Sequence, residues 1–139
     1  MPRKPEPMTN PITNRGTAFT RAERLEHGMI GRLPAAVETL EQQAQRCYRQ
    51  LQGLRCNIDR YVFLEELQNR NETLYYKLLV DHLVELLPVI YDPTVGEAIK
   101  KWSHAYRRSR AVYLSVDHIE DVRPSFETLQ LGPADVHLL

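Results

Sequence analysis

The sequence predicts a mainly α fold with a small α/β portion at its C-terminal end. Three observations predict it. Between residues 36 and 87, apolar residues recur at three- and four-residue steps, the period of one helix face. Capping residues and breakers, among them Thr20, Gly53 and Pro88, divide the region into helices of ordinary length. At 111–116 the period changes, and a β-branched and aromatic run reads as a buried strand.

Composition narrows the class. A chain of 139 residues, 42% hydrophobic and 26% charged, is one ordinary soluble domain that buries roughly two-thirds of its unfolded surface. The formal net charge is zero and the pI is near 7.0, which argues against nucleic acid or an anionic membrane as a general partner. The apolar run 83–91 is too short to span a bilayer and contains Glu85. Arg3 and Lys4 lack the apolar segment of a secretory signal. Cys47 and Cys56, in or beside a helical pattern, read as reduced, packed thiols of a cytoplasmic protein.

Residues 1–13 carry four prolines and few large apolar groups, so a disordered or loosely held tail is expected. Thr20 and Glu23 have the spacing of a capping box and start a short helix to about His27. Gly28, Gly31 and Pro34 form a turn. Ala36, Leu40, Ala44, Cys47, Tyr48 and Leu51 make the apolar stripe of a helix over 36–51. A second helix starts at Asn57 or Asp59 and runs to about Asn69. A third runs from Leu74 to Leu87 with so wide an apolar arc that it should be the most buried, and Pro88 ends it. Asp92 or Thr94 opens a fourth, through Trp102 to about Tyr106, with the basic cluster 107–110 at its C-terminal end. After the strand at 111–116, one helix is expected over 119–131 despite Pro124, and a second strand opens at 136–139. An unpaired apolar strand at the chain end suggests a fragment.

The stretch most informative about function is Pro88-Val89-Ile90-Tyr91-Asp92-Pro93-Thr94-Val95-Gly96. Proline disfavours helix in the residue before it, so Leu87 and Asp92 are pushed toward extended geometry. Tyr91 is then held on a short extended connector between helices, and Asp92 can cap the helix that follows. Taken alone, this reads as a helix–loop–helix with a half-buried tyrosine.

The nonapeptide resembles the tyrosine motif of the malic enzyme family, usually Tyr-Thr-Pro-Thr-Val-Gly. The resemblance continues through Asn14-Arg15-Gly16-Thr17-Ala18-Phe19-Thr20, the turn from Gly28 to Pro34, and Gln68-Asn69-Arg70-Asn71-Glu72-Thr73-Leu74-Tyr75-Tyr76. Tyr106-Arg107-Arg108-Ser109-Arg110 and Val112-Tyr113-Leu114-Ser115 follow in the family's order. The resemblance thus covers most of 14–139 and suggests the N-terminal region of a bacterial-type enzyme. It implies a tail over 1–13, a helical region over 14–110 and the start of an α/β substrate-side domain over 111–139, truncated before the Rossmann NAD domain.

The resemblance implies oxidative decarboxylation of malate to pyruvate and carbon dioxide, with NAD or NADP and Mg or Mn in the full-length enzyme. It places Tyr91 as the proton donor to C3 of the enol; a core tyrosine with a satisfied hydroxyl is the other reading. The lysine base, the metal ligands and the glycine-rich dinucleotide turn would lie beyond Leu139. The fragment alone is therefore expected to bind neither cofactor nor metal and to be inactive. A homo-oligomer, dimer or tetramer, is implied. Asp92 stands where the family usually has threonine, and malolactic enzymes, which convert malate to lactate, often carry Tyr-Asp-Pro-Thr. Malolactic activity and a non-catalytic dimerisation module are the alternatives.

Glu38, Arg46 and Arg70 match positions that form a dicarboxylate-activator pocket in some relatives. Two guanidinium groups suit a dicarboxylate; a surface ion-pair network is the other reading. Arg46 lies two turns after Glu38, so both are expected on one face of one helix. Asp117, His118, Glu120 and Asp121 cluster locally and read as a solvated helix start. His27, His82, His104, His118 and His137 are scattered and read as surface or partly packed residues.

Overall fold

The computed structural model describes residues 5–101, 103 and 112–128. The chain divides into two units, Met1–Ser109 and Arg110–Leu139. The first contains α1 (Arg21–Glu26), α2 (Leu40–Gln52), α3 (Asn57–Arg70), α4 (Glu72–Asp81), α5 (Leu83–Ile90) and α6 (Thr94–Lys100). The second contains a 3-10 turn (Val116–Asp121) followed by α7 (Val122–Glu127).

Local sequence sets most of the boundaries. Thr20 caps α1 through a capping box with Glu23, as its spacing predicts. A second capping box, Thr39 with Gln42, starts α2 at Leu40 and not at residue 36. Ala36 fits the apolar period, but the Thr39 hydroxyl accepts the backbone N–H of Gln42, which fixes the first turn four residues later. Glu38 therefore lies ahead of the helix that carries Arg46. Asn71 ends α3 in an extended conformation, and its side chain accepts the N–H of Leu74 to start α4. One buried asparagine thus turns one helix into the next.

The stretch expected as one helix over 74–87 is two helices. The chain leaves helical geometry at His82 (φ −133°, ψ 31°), between α4 and α5. Pro88 does not end a helix; it lies inside α5, which runs on to Ile90. Leu87 is accordingly helical. Proline removes one donor, but Leu86 and Val89 on either side of it are buried in the core. Burying such side chains stabilises by about 1.5–3 kcal/mol each, comparable with the cost of an interior proline.

The core is built from Ala44, Cys47 and Leu51 of α2, Leu64 and Leu67 of α3, Leu74, Tyr75, Leu78 and Leu79 of α4, and Leu86 and Val89 of α5. α3 is the central element and packs on α4, α5 and α6, while α2 covers α4. Burial is less complete than the apolar arc predicts. Val80, Leu83, Val84 and Leu87 are exposed, Val84 at 92%. Cys47 is buried, whereas Cys56 is exposed just ahead of α3, and both thiols are free.

Residues 5–13 depart from the expected loose tail. The Asn14 amide donates to the carbonyls of Met8 and Arg70, and Glu72 N–H donates to Pro11 O at 3.0 Å. These bonds tie the segment to the α3–α4 junction.

The fourth helix is α6 and ends at Lys100; the expected extension through Trp102 to Tyr106, and the basic cluster at 107–110, lie outside the described residues. In the second unit, residues 112–115 form no strand. The Ser115 hydroxyl accepts the N–H of Asp117 and diverts the backbone into a 3-10 turn. α7 is shorter than the helix expected over 119–131. Pro124 sits in its first turn, where a missing N–H leaves no bond unmade. The second expected strand, 136–139, also lies outside the described residues.

Candidate functional site

Tyr91 occupies a rigid connector. It is extended (φ −131°, ψ −157°) between α5 and α6, as expected, although Pro88 lies within α5 and not on the connector. Its N–H donates to Leu87 O at 3.0 Å, and its carbonyl accepts Val95 N–H at 3.1 Å. The buried Thr94 hydroxyl donates to Pro88 O at 2.7 Å and closes the connector from below. Asp92 does not cap α6; Pro93 precedes the helix, without a side-chain cap bond. The Tyr91 side chain is 66% exposed, not half-buried. A fixed backbone thus holds out a hydroxyl that can donate a proton to a group brought to it.

The second cluster is separate from Tyr91. Arg46 and Arg70 line one cleft of ≈ 270 Å³ together with Asn14, Gly16, Gln43 and Asn71. Glu38 is not in its lining. It borders an adjacent hollow of ≈ 630 Å³, which shares Arg46. Glu38 forms an ion pair with Arg46 and accepts a hydrogen bond from the Thr17 hydroxyl. The Arg46 guanidinium foremost, and then that hydroxyl, hold the Glu38 carboxyl below the usual range. Tyr91 lines neither hollow.

Gly16 keeps the cleft open. Its φ is +55°, and a Cβ there would stand 2.7 Å from Oε1 of the buried Gln43. A side chain at this position would be strained in its backbone and would collide with a cleft wall. Asn14 fixes the turn by accepting Gly16 N–H at 2.9 Å while donating to Arg70 O at 2.8 Å. Gln43 donates to Arg15 O at 3.3 Å. The available signal for Gln43 was a polar residue next to Ala44 on the apolar stripe of α2.

Arg24 organises the loop that delivers Glu38. It is buried at 5% exposure, and its guanidinium makes five hydrogen bonds, all to backbone carbonyls. Nε reaches Phe19 O, Nη1 reaches Pro34 O and Ala35 O, and Nη2 reaches Thr17 O and Ala36 O. A planar fork with five donors suits this task, and lysine could not reproduce it. Nothing in the periodicity of a six-residue helix marks Arg24, so the sequence reading missed it.

No group of three or more His, Cys, Asp or Glu among the described residues could hold a metal ion. Gly28 and Gly31, with φ of +66° and +78°, shape the turn after α1 and belong to no dinucleotide-binding strand–helix turn. In the 117–121 cluster, His118 Nδ1 stands 3.4 Å from Glu120 Oε1, both exposed. His82 stacks on Tyr48; His104 and His137 lie outside the described residues. No helix among the described residues is long and apolar enough to cross a membrane.

Known proteins resemble this chain along its whole length. It is 50% identical over 139 residues to a protein named putative malate oxidoreductase [NAD] from Mycobacterium tuberculosis, covering 100% of this chain and 25% of that protein. It is 50% identical over 115 residues to an NAD-dependent malic enzyme of Sodalis glossinidius, covering 81% of the chain and 20% of the relative. It is 45% identical over 122 residues to NAD-dependent malic enzyme 3 of Bacillus subtilis, covering 88% and 22%. The chain thus spans about a quarter of the length of these relatives. The model of the malic enzyme N-terminal domain matches residues 68–138, from the last turn of α3 through the tyrosine connector and beyond. The chain belongs to the malic enzyme family, of which it is an N-terminal region.

Proposed function

We propose that this chain is the N-terminal part of an NAD-dependent malic enzyme, and that Tyr91 delivers the proton to C3 during oxidative decarboxylation of malate to pyruvate and carbon dioxide. The observation that carries the reading is an exposed phenol on a backbone hydrogen-bonded on both sides. Within this region the tyrosine lies outside the helical core. Its O–H bond breaks as the new C–H bond forms at C3 of the enol, and the phenolate is re-protonated from solvent. The names of the relatives support NAD as the hydride acceptor. The base, the metal ligands and the dinucleotide fold would come from the rest of the enzyme, and the isolated chain should not turn over malate.

In the full-length enzyme, Tyr91→Phe keeps the ring and removes the hydroxyl. Steady-state kinetics should show kcat for malate falling by roughly two to four orders of magnitude, with KM little changed. Normal kcat in the variant would sink the assignment. Product analysis separates the malolactic alternative, which Asp92 raises: pyruvate with reduced cofactor supports the malic reading, lactate the other.

The cleft between Arg46 and Arg70 supports a second reading, a regulatory dicarboxylate site with Glu38 holding Arg46 in place. Fumarate is a suitable probe. Arg70→Gln should weaken its binding about ten- to hundredfold, the loss of a charge-assisted bidentate contact. Calorimetry showing no fumarate binding to the wild-type enzyme would leave a surface ion-pair network as the account.

A further inference from the structure

We infer that Tyr48 is a positioning residue for Tyr91, acting through the joint between α4 and α5. The inference rests on the proton-donor reading of Tyr91. α5 has only eight residues, and Tyr91 follows it directly. Its other end is the irregular joint at His82, which has no side-chain cap bond. One side chain of α2 holds both parts of that joint. The Tyr48 ring stacks on the His82 ring, with centroids 3.6 Å apart and planes within 2°. The Tyr48 hydroxyl donates to Glu85 Oε2 at 2.6 Å, in the first turn of α5.

These contacts do what the core cannot. Leu86 and Val89 set the depth of α5 against the other helices. Apolar burial is non-directional, so it leaves the helix some freedom to pivot. A ring stack and a short hydrogen bond have fixed geometry and remove that freedom. The far end transmits any pivot, because Tyr91 N–H is bonded to Leu87 O and Val95 N–H to Tyr91 O. Eight residues span about 12 Å of helix, so a tilt of about 5° at the joint displaces Tyr91 by roughly 1 Å. A misplacement of about 1 Å can cost about a hundredfold in rate. Tyr48 contacts neither substrate nor reacting atom; it acts by holding the helix that carries Tyr91.

The test is a kinetic double-mutant cycle in the full-length enzyme. Tyr48→Leu should lower kcat for malate about ten- to hundredfold with KM nearly unchanged. In a Tyr91→Phe background the same change should have almost no further effect, because the group it positions is gone. Glu85→Gln keeps an acceptor oxygen and should retain most of the activity that Glu85→Ala loses. If Tyr48→Leu does not fold, Tyr48→Phe preserves the stack, loses the hydroxyl and should match Glu85→Ala. Equal losses from the Tyr48 change in both backgrounds would overturn the inference, as would wild-type kcat in Tyr48→Leu alongside a crippled Tyr91→Phe. Near-normal turnover by Tyr91→Phe is a separate result: it defeats the proton-donor reading itself, and the positioning role with it.

Discussion

The segment ahead of α2 and the α4–α5 pair are held by opposite means. Residues 14–39 contain little helix and are fixed by polar side chains on backbone groups: Arg24 on five carbonyls, Asn14 on Gly16 and Arg70, and two capping boxes. The α4–α5 pair is fixed by burial of Leu74, Leu78, Leu79, Leu86 and Val89, and it leaves a second apolar row facing outward. The polar segment shapes a cleft between two guanidinium groups. The apolar pair presents one hydroxyl. Directional bonds set a concave site, whereas packing leaves α5 dependent on a few directional contacts to aim its end.

Breaking the polar segment should have the largest stability effect. Arg24→Met removes the fork and leaves carbonyls unpaired, at a cost on the order of 3–5 kcal/mol. Urea unfolding should show a lower midpoint, and Arg24→Lys should recover little. A change below about 1 kcal/mol would mean that other contacts hold the loop.

The exposed row on the apolar pair predicts the reverse pattern. Val80 lies near the end of α4, Leu83, Val84 and Leu87 lie on α5, and all four are exposed. Val84→Lys with Leu87→Lys should change stability by less than about 0.5 kcal/mol each but weaken self-association at least tenfold in sedimentation. A wild-type chain that sediments as a monomer at micromolar concentration would contradict the association.

The smallest effect sharpens the polar side. Glu23 accepts from the Thr20 N–H and hydroxyl and pairs with Arg15. The Arg15 contact foremost, then the Thr20 bonds, lower its carboxyl from 4.5 to about 2. The folded value lies below the unfolded one, so the contribution is complete above pH 4.5 and fades as pH falls toward 2. The stability gap between wild type and Glu23→Gln should therefore narrow across that window. A gap independent of pH would remove the ionised carboxylate from the account.

The difference between the two regions also governs what was legible in the sequence. Apolar period and caps announced α1, α3 and the inner faces of α2 and α4. Thr20–Glu23 was readable because both halves of its capping box lie three residues apart in the chain. The true start of α2 was obscured because Ala36 fits the period that Thr39 interrupts. The break at His82, whose ring stacks on Tyr48, has no proline or glycine to announce it, and Pro88 lies inside α5 between the buried Leu86 and Val89. Tyr91 was findable from two prolines and a motif. Arg24 and Gln43 draw their roles from partners 5 to 28 residues away, and Asn14 adds to its local bond with Gly16 one to a carbonyl 56 residues away, which no local pattern encodes.

The central claim concerns one proton. By microscopic reversibility, the group that protonates C3 of the enol also removes a proton from the methyl group of pyruvate. The direct measurement is exchange of the pyruvate methyl hydrogens with deuterium oxide, followed by NMR with the full-length enzyme. Tyr91→Phe should slow this exchange by roughly 10²–10⁴ while oxaloacetate reduction, which needs no enol, stays near the wild-type rate. Exchange at the wild-type rate in the variant would contradict the account, and so would an equal loss in both reactions.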